Sequence, residues 1–175
     1  MAVTGVLPWH HSTWQQLVRL ADSGRLPHAL LLTGSAGIGK GRLARSLAQT
    51  LLCQRPSGAL ACGQCDACHL SAAGTHPDAQ TLAPEAGANG IKIDQVRRLV
   101  EFAGRTAQYG GARVALIAPA EALNRSAQNA LLQTLEEPGE GIVLILISHQ
   151  PSLLLPTVST PPHRPRWPLP PPAPP

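Results

Sequence analysis

Residues 28–41 read HALLLTGSAGIGKG. An apolar run ends in Gly34, glycines recur at Gly37 and Gly39, and Lys40 opens a segment in which Leu43, Leu47 and Leu51, with Ala44 and Ala48, return at helical spacing. Strand, glycine turn, helix is the setting in which successive backbone N–H groups turn toward a phosphate, with the positive end of the helix behind them and a lysine reaching the outer oxygens. The pattern is G-x-x-x-x-G-K followed by Ser or Thr. Gly34, Gly39 and Lys40 match it, and Gly41 stands where the hydroxyl belongs. A plain glycine-rich turn with an exposed lysine is the simpler reading, and the flanking strand and helix weigh against it.

Hydrolysis asks for more than a cradle. Mg²⁺ is held by the hydroxyl after the lysine and by an acid at the end of a neighbouring strand. Gly41 removes the first ligand. The natural second strand is RVALIA, residues 113–118, and Ala118 and Pro119 stand where the acid is expected, with Glu121 too late to act from the same strand end. With both parts of the metal site missing, turnover is not expected, no residue is assigned a catalytic role, and binding of ATP or ADP is doubtful. The loop amides alone would hold ADP weakly.

The alternation continues on both sides. A first helix is predicted over residues 12–21, capped by Ser12 and closed by Gly24. Asp94 is predicted to cap a helix burying Val96, Leu99, Val100 and Ala103. Residues 113–118 and GIVLILIS (141–148) read as further buried strands, with a helix between them stopped by Pro138. Strands apolar on both faces alternating with helices predict an α/β domain with a parallel sheet covered by helices. The domain is expected over residues 1–157. From Pro161 the chain holds nine prolines in fifteen residues, which predicts an extended, disordered tail over 158–175. Its abrupt onset is expected of a frame shift or truncation, and an intact coding frame through residue 175 would sink that idea.

Cys53, Cys62, Cys65 and Cys68 form C-x8-C-x2-C-x2-C. Four thiolates at this spacing are the complement of a closed, structural zinc site in a module of about residues 53–78. Zinc would close a segment that has no apolar core of its own, with apparent binding on the order of 10 kcal/mol. Disulfides and a redox C-x-x-C are weaker readings, and His69 or His76 could displace one cysteine. The net charge of +4 is dispersed and carried by arginine, since Lys40 and Lys92 are the only lysines. It permits nucleic acid or an acidic partner without demanding either. No apolar run of membrane-spanning length and no secretory pattern is visible, so a cytoplasmic protein with no membrane contact is expected.

The stretches RLPHALLLTGSAGIGKGRLA, LLC with ACGQCDAC, AAGTHPD, IKIDQVRRL, SAQNALLQTLEEP and LILISHQPSLLLPT together resemble the bacterial replicative clamp loader of the AAA+ ATPase superfamily. The resemblance covers about residues 7–157. It implies a RecA-like P-loop domain with the four-cysteine zinc module inserted after the first loop helix. The missing metal ligands select the non-hydrolysing assembly subunit, whose loop from Gly34 to Lys40 is vestigial. Implied partners are the motor (tau/gamma) and delta subunits, with the sliding clamp and primed DNA reached through the complex. Any nucleotidyltransferase label, as a DNA-directed DNA polymerase, would belong to the holoenzyme. Members of the family continue past Leu-Leu-Pro-Thr into a Ser-Arg-Cys motif, a lid and a collar. Here VSTPPHRPRW follows instead, so motif, lid and collar are expected to be absent. Two rival readings remain at the level of sequence, an active P-loop ATPase and a zinc-dependent nucleic-acid-binding module.

Overall fold

The computed structural model describes residues 5–159 and 166–171. Among them, five parallel strands form one sheet: β1 (Ala29–Thr33), β2 (Ala79–Leu82), β3 (Arg113–Ile117), β4 (Ile142–Ser148) and β5 (Arg166–Pro168), in the order β2-β3-β4-β1-β5. The helices are α1 (His11–Asp22), α2 (Lys40–Leu52), α3 (Asp66–Ala73), α4 (Ile93–Ala103), α5 (Arg125–Glu136) and the single turn α6 (Pro156–Ser159).

Successive residues of a strand point to opposite faces, so a strand covered on both sides must be apolar throughout. β1 and β4 are buried at every position. Ala29, Leu31, Ile142, Leu144 and Leu146 pack with Leu99, Phe102, Leu131 and Leu135 of α4 and α5. Leu30, Leu32, Val143, Ile145 and Ile147 pack on the other face with Trp14 and Leu17 of α1 and Leu43, Ala44 and Leu47 of α2.

The caps differ from expectation in two places. Ser12 is not a cap, because a 3-10 turn over Pro8–His10 runs directly into α1. Asp94 lies inside the first turn of α4, where it pairs with Arg97 at 3.0 Å, while the Gln95 Oε1 accepts the Lys92 amide at 2.9 Å and does the capping. Val100 is only partly buried, and Phe102 takes its place on the buried face. Buried Arg113 closes the far end of α4, donating to the carbonyls of Phe102 at 2.8 Å and Ala103 at 2.5 Å.

Part of the tail also departs from expectation. Residues 160–165 and 172–175 lie outside the described residues, but Arg166–Pro168 are a strand, not disordered chain. They pair with Leu31–Thr33, and the Leu169 amide donates to the Thr33 carbonyl at 2.9 Å with its side chain buried. Proline is compatible with this position because its fixed φ suits extended backbone and an edge strand leaves one side of the ladder unused.

Deleting residues 166–175 should raise deuterium uptake across residues 29–34, and Leu169→Ala should lower stability by about 2–3 kcal/mol. Unchanged uptake in the shortened chain would show that the tail does not close the sheet.

Candidate functional site

Strand β1 delivers Gly34 at its carboxyl end, and the loop to Lys40 follows as the sequence predicts. Gly34 and Gly39 have φ of 144° and 90°, in the region that favours glycine. Both are also pressed from outside. A Cβ on Gly34 would stand 2.6 Å from Ile38 Cδ1 and 3.1 Å from the Leu169 carbonyl oxygen, and one on Gly39 would collide with Leu7 Cδ1. The segment before α1 folds over the loop, with Trp9 Nε1 donating to the Ile38 carbonyl at 3.0 Å. His10 beneath it is fully buried, and burial, with the nearby Lys40 charge, holds its pKa below the usual histidine value. Gly37, at φ 82°, turns the loop in the open, with nothing near its missing Cβ.

The loop lysine is not exposed. Lys40 is 3% exposed, and its ammonium donates back to the loop carbonyls of Gly34 at 2.6 Å and Ser35 at 2.5 Å. These bonds satisfy a buried charge internally, since carbonyl oxygens stand in for the phosphate oxygens a lysine here would otherwise meet. Burial lowers the Lys40 pKa, and the Glu121 carboxylate pulls it back up.

Next to Lys40 the backbone is ordinary, and a Cβ on Gly41 would meet nothing nearer than Arg45 Nη1 at 3.7 Å. The missing hydroxyl is therefore a change of side chain that no backbone strain requires. Gly41 and Ala118 line the same cavity, of about 490 Å³, between α2, α3 and the ends of β2, β3 and β4. Both positions that lack a metal ligand thus face one space. Its lining carries Arg45 and His76 but no carboxylate.

Glu121 is the residue whose place the sequence reading missed. It does lie beyond the end of β3, in a 3-10 turn over Ala120–Ala122. The fold nevertheless brings its carboxylate to the end of β4, where Oε1 accepts the amides of His149 at 2.8 Å and Gln150 at 3.2 Å. Burial pushes its pKa up, but its own amide and that of His149 outweigh burial and hold it below the ordinary carboxylate range.

The four cysteines converge as the spacing predicts. Cys53 follows α2, Cys62 lies in the connecting loop, Cys65 precedes α3 and Cys68 sits within it. Their sulfurs all lie within 4.8 Å of one another, with Cys53–Cys65 and Cys62–Cys68 each at 3.9 Å. A tetrahedral ion about 2.3 Å from four sulfurs needs edges of about 3.8 Å, so this donor set fits one metal ion with no open position. Disulfide partners would stand at about 2 Å. Amides turn inward as for thiolates, with Cys62 N donating to Cys53 Sγ at 3.3 Å and Gln64 N to Cys62 Sγ at 3.5 Å. Burial pushes Cys68 up to about 12, whereas at Cys65 the donors, among them the amides of Gln54 and Cys68, overcome burial and bring it to about 6. Four thiolates so close need a cation between them.

Neither histidine joins the cluster of ligands. His76 packs instead on Tyr109, ring centroids 5.1 Å apart, and its Nδ1 accepts the Asp78 amide at 3.0 Å. Buried Asp78 in turn accepts the amides of Gln108 at 2.8 Å and Tyr109 at 2.9 Å, fixing the turn before β3. The Thr-His-Pro-Asp stretch is therefore a structural brace between the module and the sheet. Sequence reasoning also missed α3 and β2. The former buries little beyond Ala67 and Cys68, and the latter is a half-exposed edge strand with no apolar run.

The family model described as DNA polymerase III, delta subunit, matches residues 9–160. The chain belongs to that family. Among curated relatives, DNA polymerase III subunit delta' of Pseudomonas aeruginosa is 55% identical over 155 residues, covering 89% of this chain and 46% of its own. The Escherichia coli K12 subunit delta' is 42% identical over 151 residues, covering 86% and 45%. DNA polymerase III subunit tau of Escherichia coli K12 is 36% identical over 135 residues, covering 77% of this chain and 20% of its own. The chain spans a little under half the length of the delta' relatives. Among solved structures, a DNA polymerase III gamma subunit-related protein of Thermotoga maritima superposes with a TM-score of 0.68 at 20% identity, covering 91% of this chain and 46% of its own. A RuvB protein of Thermotoga maritima gives 0.53 at 15% identity, covering 90% and 43%. These two share the AAA+ fold. No helix among the described residues is long and apolar enough to cross a membrane.

Removing the metal is expected to undo the module while sparing the sheet. Chelation should release one equivalent of divalent metal and raise deuterium uptake over residues 53–73, leaving 142–148 protected. Cys65→Ser should lower metal affinity at least about tenfold. A chain that holds no metal and keeps the module protected would refute the site.

Proposed function

We propose that this chain is the nucleotide-fold portion of a non-hydrolysing delta-prime subunit, which serves clamp loading in DNA replication as an assembly component of the DNA polymerase III holoenzyme. The observation that carries this reading is the state of the loop. Lys40 is satisfied by the loop's own carbonyls, and the two positions that should hold Mg²⁺, Gly41 and Ala118, face a cavity with no carboxylate. A cradle kept without its metal site suits a subunit that holds shape in a ring while its neighbours turn over ATP. The 55% identity to a delta' subunit supports the same assignment.

The metal of the four-cysteine module is zinc on this reading, bound by Cys53, Cys62, Cys65 and Cys68 in a structural role. The set of four soft thiolates in tetrahedral spacing favours zinc over hard cations. Neighbours in the assembly would be the tau/gamma motor subunits and the delta subunit, with the sliding clamp and primed DNA engaged through the complex. The rival of a zinc-dependent nucleic-acid module has little to support it, because residues 53–78 contain no Phe, Tyr or Trp on which bases could stack.

The reading is tested by exchange. A chimaera in which residues 5–157 replace the matching segment of the Pseudomonas aeruginosa delta' subunit should assemble with that organism's tau and delta subunits and load clamps onto primed DNA. Lys40→Ala in the chimaera should leave the loading rate within about twofold, since the lysine supports no chemistry on this reading. A chimaera that fails to assemble, or that Lys40→Ala silences while the fold is retained, would contradict the proposal.

A further inference from the structure

Glu121 has no part in the assignments above, yet its carboxylate is fixed at the end of β4, the strand beside β1. Its Oε1 is fixed by the amides of His149 and Gln150, which follow Ser148 at the end of β4. Ser148 is the register partner of Thr33, the last residue of β1. The next residue, Gly34, gives its carbonyl to the Lys40 ammonium. The carboxylate and the ammonium are therefore held at the ends of two neighbouring strands, without a direct ion pair between them. Glu121 Oε2 is buried and has no hydrogen-bond partner, and neither does the Ser148 hydroxyl.

A carboxylate oxygen enclosed without a partner is costly unless a positive charge stands near, even where the rest of the side chain is half-buried. Lys40 is buried at the neighbouring strand end, and the carboxylate favours its charged form. An incoming phosphate group would bring negative charge to the same ammonium and be repelled by the Glu121 carboxylate.

We propose that Glu121 is the loop's resident counter-charge, a carboxylate that neutralises Lys40 in place of a phosphate and so excludes phosphate-bearing anions from the cradle. This deepens the reading of a loop without turnover and rests on it. The two can fail separately, because clamp loading by the chimaera does not depend on whether an anion can be made to bind. Glu121 acts here as a specificity-determining residue with no catalytic duty.

The test is Mg²⁺-free binding of inorganic pyrophosphate by the full metal-loaded chain, followed by calorimetry. Glu121→Gln keeps an oxygen to accept the His149 and Gln150 amides but removes the charge, and it should bind pyrophosphate about tenfold or more tightly than wild type. Adding Lys40→Met should abolish the gain. Glu121→Asp retains the charge and should stay within about twofold of wild type. Equal affinity in wild type and the Glu121→Gln chain would overturn the proposal, as would the same gain in Glu121→Asp, which would assign the effect to a loosened turn. A second measurement does not depend on the folding of any Glu121 variant. Lys40→Met should move the acid titration sensed by the His149 amide resonance to higher pH by about half a unit or more, because the carboxylate loses its cation. A titration that stays in place would show that the two charges do not interact.

Discussion

Strand β1 is the constraint on which the rest of the structure depends. Its five residues are buried on both faces, so both edges must be paired and both faces covered. β4 takes one edge along its full length and β5 takes the other over Leu31–Thr33. Helices α1 and α2 cover one face, and α4 and α5 the other. Because Gly34 follows directly on Thr33, the last residue of β1, the same strand aims the glycine loop at the amino end of α2. The position of the candidate loop thus follows directly from the packing of the core.

The loop retains its shape and has lost its polarity toward a ligand. Its glycines still take conformations that a side chain would obstruct, as at Gly34 and Gly39, so the backbone remains constrained even where the chemistry is missing. Lys40 is held by the carbonyls that precede it, Trp9 clamps Ile38 from above, and the tail residue Leu169 presses on Gly34 from the sheet edge. A cradle so enclosed resembles a rigid corner more than an open site. The cysteine module follows the same economy. Having almost no apolar core of its own, it is tied at one end by the sulfurs, and it is braced against the sheet through His76 and Asp78.

Much of this was legible in the sequence because the signals are local and strong. Continuous apolar runs marked β1, β3 and β4, since burial on both faces leaves no polar positions to confuse the pattern. The glycine loop and the cysteine spacing were legible for the same reason, each being fixed by the geometry of what it must surround. What escaped depends on distant partners. β2 is a strand because β3 lies beside it, and its half-exposed residues carry no periodic signal of their own. Arg166–Pro168 become a strand only because β1 has an open edge. Glu121 meets the turn after β4, a placement invisible in a linear reading of the strand it follows.

The most direct test of a loop that keeps its shape without turnover is Mg²⁺-dependent phosphate release from ATP by the purified metal-loaded chain, with a competent motor subunit assayed in parallel. Release at the level of buffer alone, unchanged by Lys40→Ala, is the expected result. Turnover above that level that disappears with Lys40→Ala would mean that other groups complete the metal site, and it would contradict the non-hydrolysing assignment.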